Sequence, residues 1–156
     1  MKIKQILRES SVESNLKADS KEGVIEELAS LLLQGQAAPQ PEFREKLVRV
    51  LMEREKLGST GIGNGVAIPH GKMPGLGEIM TGFGRSPKGI EFDSQDGRSA
   101  HLFFILVAPE NAASLHLKAL ARLSRLLKDA HFRNKLMEAE SAHALYQAIV
   151  EEDEKF

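Results

Sequence analysis

The chain has five histidines and no cysteine, so nucleophilic or metal-ligating chemistry in its 156 residues falls to imidazoles, carboxylates and hydroxyls. His70 stands between Pro69 and Gly71, just past the short apolar piece Val66 to Ile68. That setting predicts a ring on a constrained loop at a sheet edge, where binding groups gather. Imidazole titrates near neutrality and suits nucleophilic or acid/base work, the alternative being an ordinary exposed loop histidine. His116 shares a stripe with Leu120, Leu123 and Leu127 at helical spacing and faces inward near the start of its helix. An inward ring needs a partner, either backbone or an anion near the helix N-terminus. Arg54 follows Phe43, Leu47, Val50 and Leu51 on what reads as one apolar stripe. Its guanidinium either meets an anion or sits at the helix C-terminus with its stem along apolar surface. His101, His131 and His143 have no comparable setting and read as structural or surface residues.

The segment from Gly58 to Lys72, GSTGIGNGVAIPHGK, is dense in glycine, which lets backbone amides approach phosphate. It is not a nucleotide loop. A dinucleotide fingerprint starting at Gly63 needs glycine where Ile68 stands, no Walker A spacing precedes Gly71-Lys72, and the segment runs into a strand rather than a helix. Two constrained or inward histidines, an arginine and the nearby Ser59, Thr60 and Gly61 suit a phosphoryl group carried on histidine. The imidazole would be the nucleophile, with guanidinium, hydroxyl and backbone donors holding the phosphoryl oxygens. A zinc site is the weaker alternative, because no His-x-x-x-His or carboxylate pattern accompanies His70.

The elements that must position these residues follow from periodicity. Ser20 caps a first helix with Val24, Ile25, Leu28, Leu31 and Leu32 on its stripe and Gly35 as its stop. After a linker at Gln36 to Gln40, Pro41 opens a second helix that Gly58 ends. Val66 to Ile68, Ile79 to Phe83 and Ile90 to Phe92 read as short strands, and Asp96-Gly97 as a turn. His101 to Val107 is a continuous apolar run suited to a strand buried on both faces. Leucines return at helical spacing from Ala112 to Leu127, and Phe132 to Ala139 and Ala142 to Val150 read as closing helices, the last capped by Ser141. The pattern predicts an α/β fold, a small mixed sheet flanked by helices on its faces, as a single domain over residues 1–156.

Composition excludes several classes. Lys plus Arg number 21 against 22 for Asp plus Glu, and the net charge of -1 argues against a nucleic-acid protein working by bulk electrostatics. The longest apolar runs, such as Leu102 to Ala108, fall far short of the roughly 20 residues of a membrane span, and the first residues, MKIKQILRESSVES, lack the apolar core of a signal peptide. A cytoplasmic protein is the expectation, in line with the absence of cysteine.

In order along the chain, Arg54-Glu55, LGSTGIG from Leu57, GVAIPHGK from Gly65, GIEFD from Gly89, Asp96-Gly97, Ala108-Pro109-Glu110 and His116-Leu117 resemble enzyme IIA of the bacterial phosphoenolpyruvate-dependent sugar phosphotransferase system. The likeness is to the fructose/mannitol type and especially its nitrogen-regulatory, PtsN-like branch, and it covers nearly the whole chain. It implies a mostly parallel mixed sheet, and a phosphoryl group accepted on Nε2 of His70 from an HPr-like phosphocarrier. By the same resemblance His116 orients the acceptor, Arg54 binds the phosphoryl oxygens, Thr60 and neighbouring amides assist, and no metal or organic cofactor is needed. The expected further partners are regulatory target proteins or, in the alternative, a membrane sugar permease component.

Overall fold

In the computed structural model, which describes residues 1–34 and 41–156, a short 3-10 turn at Ile3–Gln5 precedes β1 (Leu7–Glu13), α1 (Lys21–Leu33) and α2 (Pro41–Lys56). Four strands follow, β2 (Gly61–Gly63), β3 (Val66–Ala67), β4 (His70–Met73) and β5 (Met80–Ile90). The chain continues through β6 (Ala100–Pro109), α3 (Ala113–Leu127), α4 (Ala130–Glu138) and α5 (Ala142–Asp153). The expected helix stop at Gly35 and the linker at Gln36 to Gln40 lie outside the described residues.

Helix starts follow side-chain capping. Ser20 accepts from the Gly23 N–H, Asp129 from those of His131 and Phe132, and Ser141 from that of Ala144, contacts worth about 1 kcal/mol each. Pro41 opens α2 at the position where its missing N–H costs nothing.

β6 organises the sheet because it is apolar on both faces. Leu102, Phe104, Leu106 and Ala108 belong to one buried cluster with Leu123, Leu127, Phe132, Leu136, Leu145 and Ile149 of α3, α4 and α5. Phe103, Ile105 and Val107 belong to a second with Ile25, Leu28 and Leu32 of α1 and Leu47 and Leu51 of α2. At roughly 1.5–3 kcal/mol per fully buried large apolar side chain, this strand alone couples the two helical layers strongly.

The strand order is β1-β5-β6-β3-β2, with β4 also pairing β6. The β1–β5, β3–β6 and β4–β6 pairings are parallel, whereas β2–β3 and the longest, β5–β6, are antiparallel. The expected mixed sheet with helices on both faces is therefore present.

Two local expectations are corrected, and one strand stands where none was expected. His70 is not in a loop but opens β4, where pairing with Leu106 of β6 supplies the order that its own sequence does not predict. The pieces at Ile79 to Phe83 and Ile90 to Phe92 are not two strands, because one strand runs from Met80 to Ile90. It accommodates Pro87 beyond the last β1 partner, Gly84, and through a register shift against β6. β1, which the polar N-terminal segment does not predict, forms an irregular edge strand with a register shift between Leu7 and Val12.

Two buried polar groups tie distant segments together. The Arg85 guanidinium donates to the carbonyls of Ser14, Leu136, Met137 and Ala139, holding the end of α4 against the sheet. The Asp153 carboxylate accepts the Ile3 N–H at 2.6 Å and Arg122 Nε at 2.5 Å, fastening the start of the chain to the last helix.

Candidate functional site

The C-terminal half of β6 places the site. Its parallel partner β4 starts at His70, whose neighbour Pro69 accepts the Leu106 N–H at 3.0 Å. Gly71 next to it lets β4 approach α2 closely, since a Cβ there would sit 2.6 Å from a Val50 methyl, which would have to shift. This close approach brings the end of α2, with Arg54, alongside the histidine. α3 begins four residues after β6 and delivers His116 in its first turn. The resulting cleft of about 640 Å³ is lined by His70, Lys72, His116, Arg54, Glu53 and apolar residues that include Leu57 and Leu117. Leu57 and Leu117 are 85% and 69% exposed and give the cleft an apolar rim.

Nδ1 of His70 lies 2.7 Å from the Ile68 carbonyl. A carbonyl can only accept, so Nδ1 carries the proton and the neutral ring keeps its lone pair on Nε2. Burial holds the His70 pKa below the usual 6.5; the Ile68 bond opposes this, the Arg54 charge adds to it, and the Glu55 carboxylate opposes it. A neutral ring at pH 7, with an unprotonated nitrogen, is the consequence.

The His116 ring stands edge to face with His70, centroids 5.5 Å apart. It is 5% exposed, and neither ring nitrogen has a hydrogen-bond partner among the described residues. Burial first, then the charges of His70 and Lys72, push its pKa down to about 4. A buried, neutral ring with unmet hydrogen-bonding capacity is poised for a group that arrives with its own donors or acceptors.

Arg54 corrects one expectation. The stripe of α2 that reaches the core is Leu47, Leu51 and Glu55, while Arg54 lies half-buried on the cleft wall and donates to the Gly58 carbonyl at 2.7 Å. Glu55 is thus the residue that sequence reasoning missed as part of the site's support. Its spacing from Leu47 and Leu51, four residues at each step, was the available signal.

The structure brings His70, His116 and Arg54 together but not Ser59, Thr60 or Gly61, none of which lines the cleft. Ser59 Oγ donates to the Phe92 carbonyl and accepts the Gly61 N–H. The Thr60 hydroxyl and N–H both donate to Glu55, and a Cβ on Gly61 would collide with Ser94. These residues build the loop beneath the histidine.

A mixed sheet of this topology, with two histidines and an arginine in one cleft, matches the arrangement expected of the enzyme IIA class. The chain belongs to the family "Phosphoenolpyruvate-dependent sugar phosphotransferase system, EIIA 2", whose model matches residues 5–152. It is 42% identical to the nitrogen regulatory protein of Bradyrhizobium diazoefficiens over 150 residues, 96% of this chain and 95% of that protein. It is 39% identical to the PTS system fructose-specific EIIABC component of Bacillus subtilis over 98% of its own length but 24% of that longer protein. The solved structure of the nitrogen regulatory protein IIA-Ntr from Neisseria meningitidis superposes with a TM-score of 0.83 at 34% identity, covering 93% of this chain and 97% of that one. Family membership makes the chain a phosphotransferase-system component, and among the described residues no helix is long and apolar enough to cross a membrane.

Proposed function

We propose that this chain, acting as one unit over residues 1–156, is a cytoplasmic phosphohistidine carrier that accepts a phosphoryl group on Nε2 of His70 from the phosphohistidine of an HPr-like carrier protein. The observation that carries this reading is the bond from Nδ1 of His70 to the Ile68 carbonyl, which leaves Nε2 as the ring's lone-pair nitrogen in the cleft. In the step, the Nε2 lone pair forms a bond to phosphorus as the phosphorus–nitrogen bond of the donor histidine breaks, and the donor imidazole leaves. Arg54 meets the phosphoryl oxygens, His116 orients the acceptor and the transferred group, and the exposed Leu57 and Leu117 give the partner an apolar landing surface. No metal or organic cofactor enters this chemistry.

Incubation with phosphoenolpyruvate, the general phosphotransferase and the carrier should place one acid-labile, base-stable phosphate on His70. Phosphoserine at Ser59, or no phosphate while the carrier itself is phosphorylated, overturns the reading.

Similarity to nitrogen regulatory proteins over nearly the full length supports a regulatory role, in which about -1.5 to -2 of added charge on the cleft changes which proteins bind. The second reading, a fructose/mannitol-type IIA passing phosphate to a permease component, is favoured by the likeness to the fructose-specific protein. Phosphate transfer to a cognate permease component supports the second reading, and pull-downs that differ between the two phosphorylation states support the first.

A further inference from the structure

We infer that Lys21, Glu55 and Thr60 are positioning residues for the acceptor histidine, acting through a chain of hydrogen bonds that runs from the first turn of α1 to Nδ1 of His70. The inference rests on the phosphoryl-acceptor reading of His70. Lys21 Nζ lies 3.0 Å from Glu55 Oε1. The Glu55 carboxylate accepts the Thr60 N–H at 3.0 Å and also the Thr60 hydroxyl. The Thr60 carbonyl accepts the Ile68 N–H at 3.0 Å, and the Ile68 carbonyl accepts the His70 Nδ1–H at 2.7 Å. The links run from α1 through the end of α2 and the irregular residues Thr60 and Ile68 to the first residue of β4, so the carbonyl that fixes the His70 tautomer is anchored to both helices.

Two features are hard to explain as packing alone. The Glu55 side chain is 2% exposed, and a carboxylate buried to that degree costs several kcal/mol unless it is matched by donors. Lys21 occupies the first turn of a helix, where the dipole disfavours a cation, yet its ammonium is spent on Glu55, on Asp93 at 3.5 Å and on the face of Phe92 at 4.8 Å. A leucine or methionine at position 55 would fill the same stripe at lower cost, but it would leave the Thr60 N–H without its partner and free the Ile68 carbonyl to move. Since a displacement of about 1 Å in a reacting group can cost on the order of 10²-fold in rate, such anchoring has direct value at the acceptor ring.

The charge of Glu55 acts as well. The ionisable groups around His70 are Arg54, Glu55 and Glu53 at the end of α2, His116 on α3 and Lys72 on its own strand. Glu55 favours the cationic ring against burial and Arg54. Positive charge develops on the imidazole as Nε2 bonds to phosphorus, so the same carboxylate lowers the cost of the step.

Nitrogen-detected NMR of the imidazoles in the full chain reads the tautomer and titration of His70 without any phosphate donor. Wild type, Glu55→Gln, Lys21→Met and Lys21→Arg are compared, together with their rates of phosphoryl acceptance from the phosphorylated carrier. Glu55→Gln is expected to lower the His70 titration midpoint, and both it and Lys21→Met to populate the Nε2–H tautomer and slow acceptance about tenfold. Lys21→Arg should restore both properties to within about twofold of wild type. Should Glu55→Gln fail to fold, the Lys21 pair decides. An unchanged tautomer and midpoint overturn the inference whether or not the rate falls, because a loss of rate alone reports the fold. If wild type accepts no phosphate, the acceptor reading fails while the tautomer comparison still stands.

Discussion

The imidazoles of His70 and His116 face each other at 85°, and they differ in one decisive respect: the His70 ring is bonded to the Ile68 carbonyl, whereas that of His116 has no partner among the described residues. One ring is held in a defined tautomer with its lone pair on Nε2. The other is buried with its hydrogen-bonding capacity unspent. On the proposed reading, the pair divides into an acceptor and a receptor for the group transferred.

His70→Ala should abolish phosphate uptake, because the nucleophile is gone. His116→Ala keeps the acceptor and should slow uptake by about 10- to 100-fold. Mass spectrometry of the phosphorylated protein, with circular dichroism as the folding control, checks both. Phosphate on His116 with normal uptake in His70→Ala would reverse the assignment.

His116→Leu should raise stability at pH 7 by about 1 kcal/mol while impairing transfer, since it removes two buried nitrogens without partners. The pH dependence gives a second readout. The folded-state pKa of His116 is about 4, below the usual 6.5, so between those values the unfolded chain binds more protons than the folded one. The stabilisation is fully present above pH 6.5 and is lost as the pH falls toward 4, by up to about 3 kcal/mol. Urea unfolding at several pH values should show this slope in wild type and a flatter one in His116→Leu. Acceptance should persist down to a midpoint below 6.5, because the lowered pKa of His70 keeps Nε2 unprotonated there.

Arg54→Ala should reduce phosphoryl acceptance by about 10²-fold yet cost only about 1 kcal/mol of stability, the value of its bond to the Gly58 carbonyl. Arg54→Lys keeps the charge without the planar fork and should recover only part of the rate. Equal rates in all three folded proteins would leave Arg54 as a helix cap.

Arg85→Met should destabilise the fold by about 2–4 kcal/mol, since up to four carbonyls lose a shared cationic donor in a buried setting. The His70 titration should stay at its wild-type midpoint, because Arg85 neither lines the cleft nor is among the charges that act on His70. Chemical denaturation and imidazole NMR on the same samples separate the two effects.

What was legible in the sequence was what repeats. The leucine stripes of α1 and α3, the caps at Ser20 and Ser141 and the unbroken apolar run of β6 carry enough periodic signal to stand alone. β4 does not, because only Met73 of its four residues is fully buried and its order is borrowed from β6. β1 is polar, at the sheet edge and interrupted by a register shift, so its alternation is broken. The β2–β3 hairpin did leave a signal, Asn64-Gly65, both at positive φ as a tight two-residue turn demands. At the site, residue type pointed to His70 and His116. The bond of Ser59 to the Phe92 carbonyl joins segments far apart in sequence, and that of Thr60 to Glu55, only five residues away, depends on how the chain turns at the end of α2, so neither direction is written in residue type.

The fastening of Ile3 to Asp153, reinforced by Lys4 with Glu154 and by Lys2 with the Phe156 carbonyl, sets the two ends of the chain side by side. They meet beside β1, separated from the His70 strand by β5 and β6. A short peptide joining residue 156 to residue 1 would close the polypeptide into a ring with little strain, and circular permutants opened in a surface turn should retain the histidine cleft. The same geometry lets such a module be spliced into a longer protein with both flanking segments leaving from one patch, so that a neighbour attached there does not cover the histidine cleft.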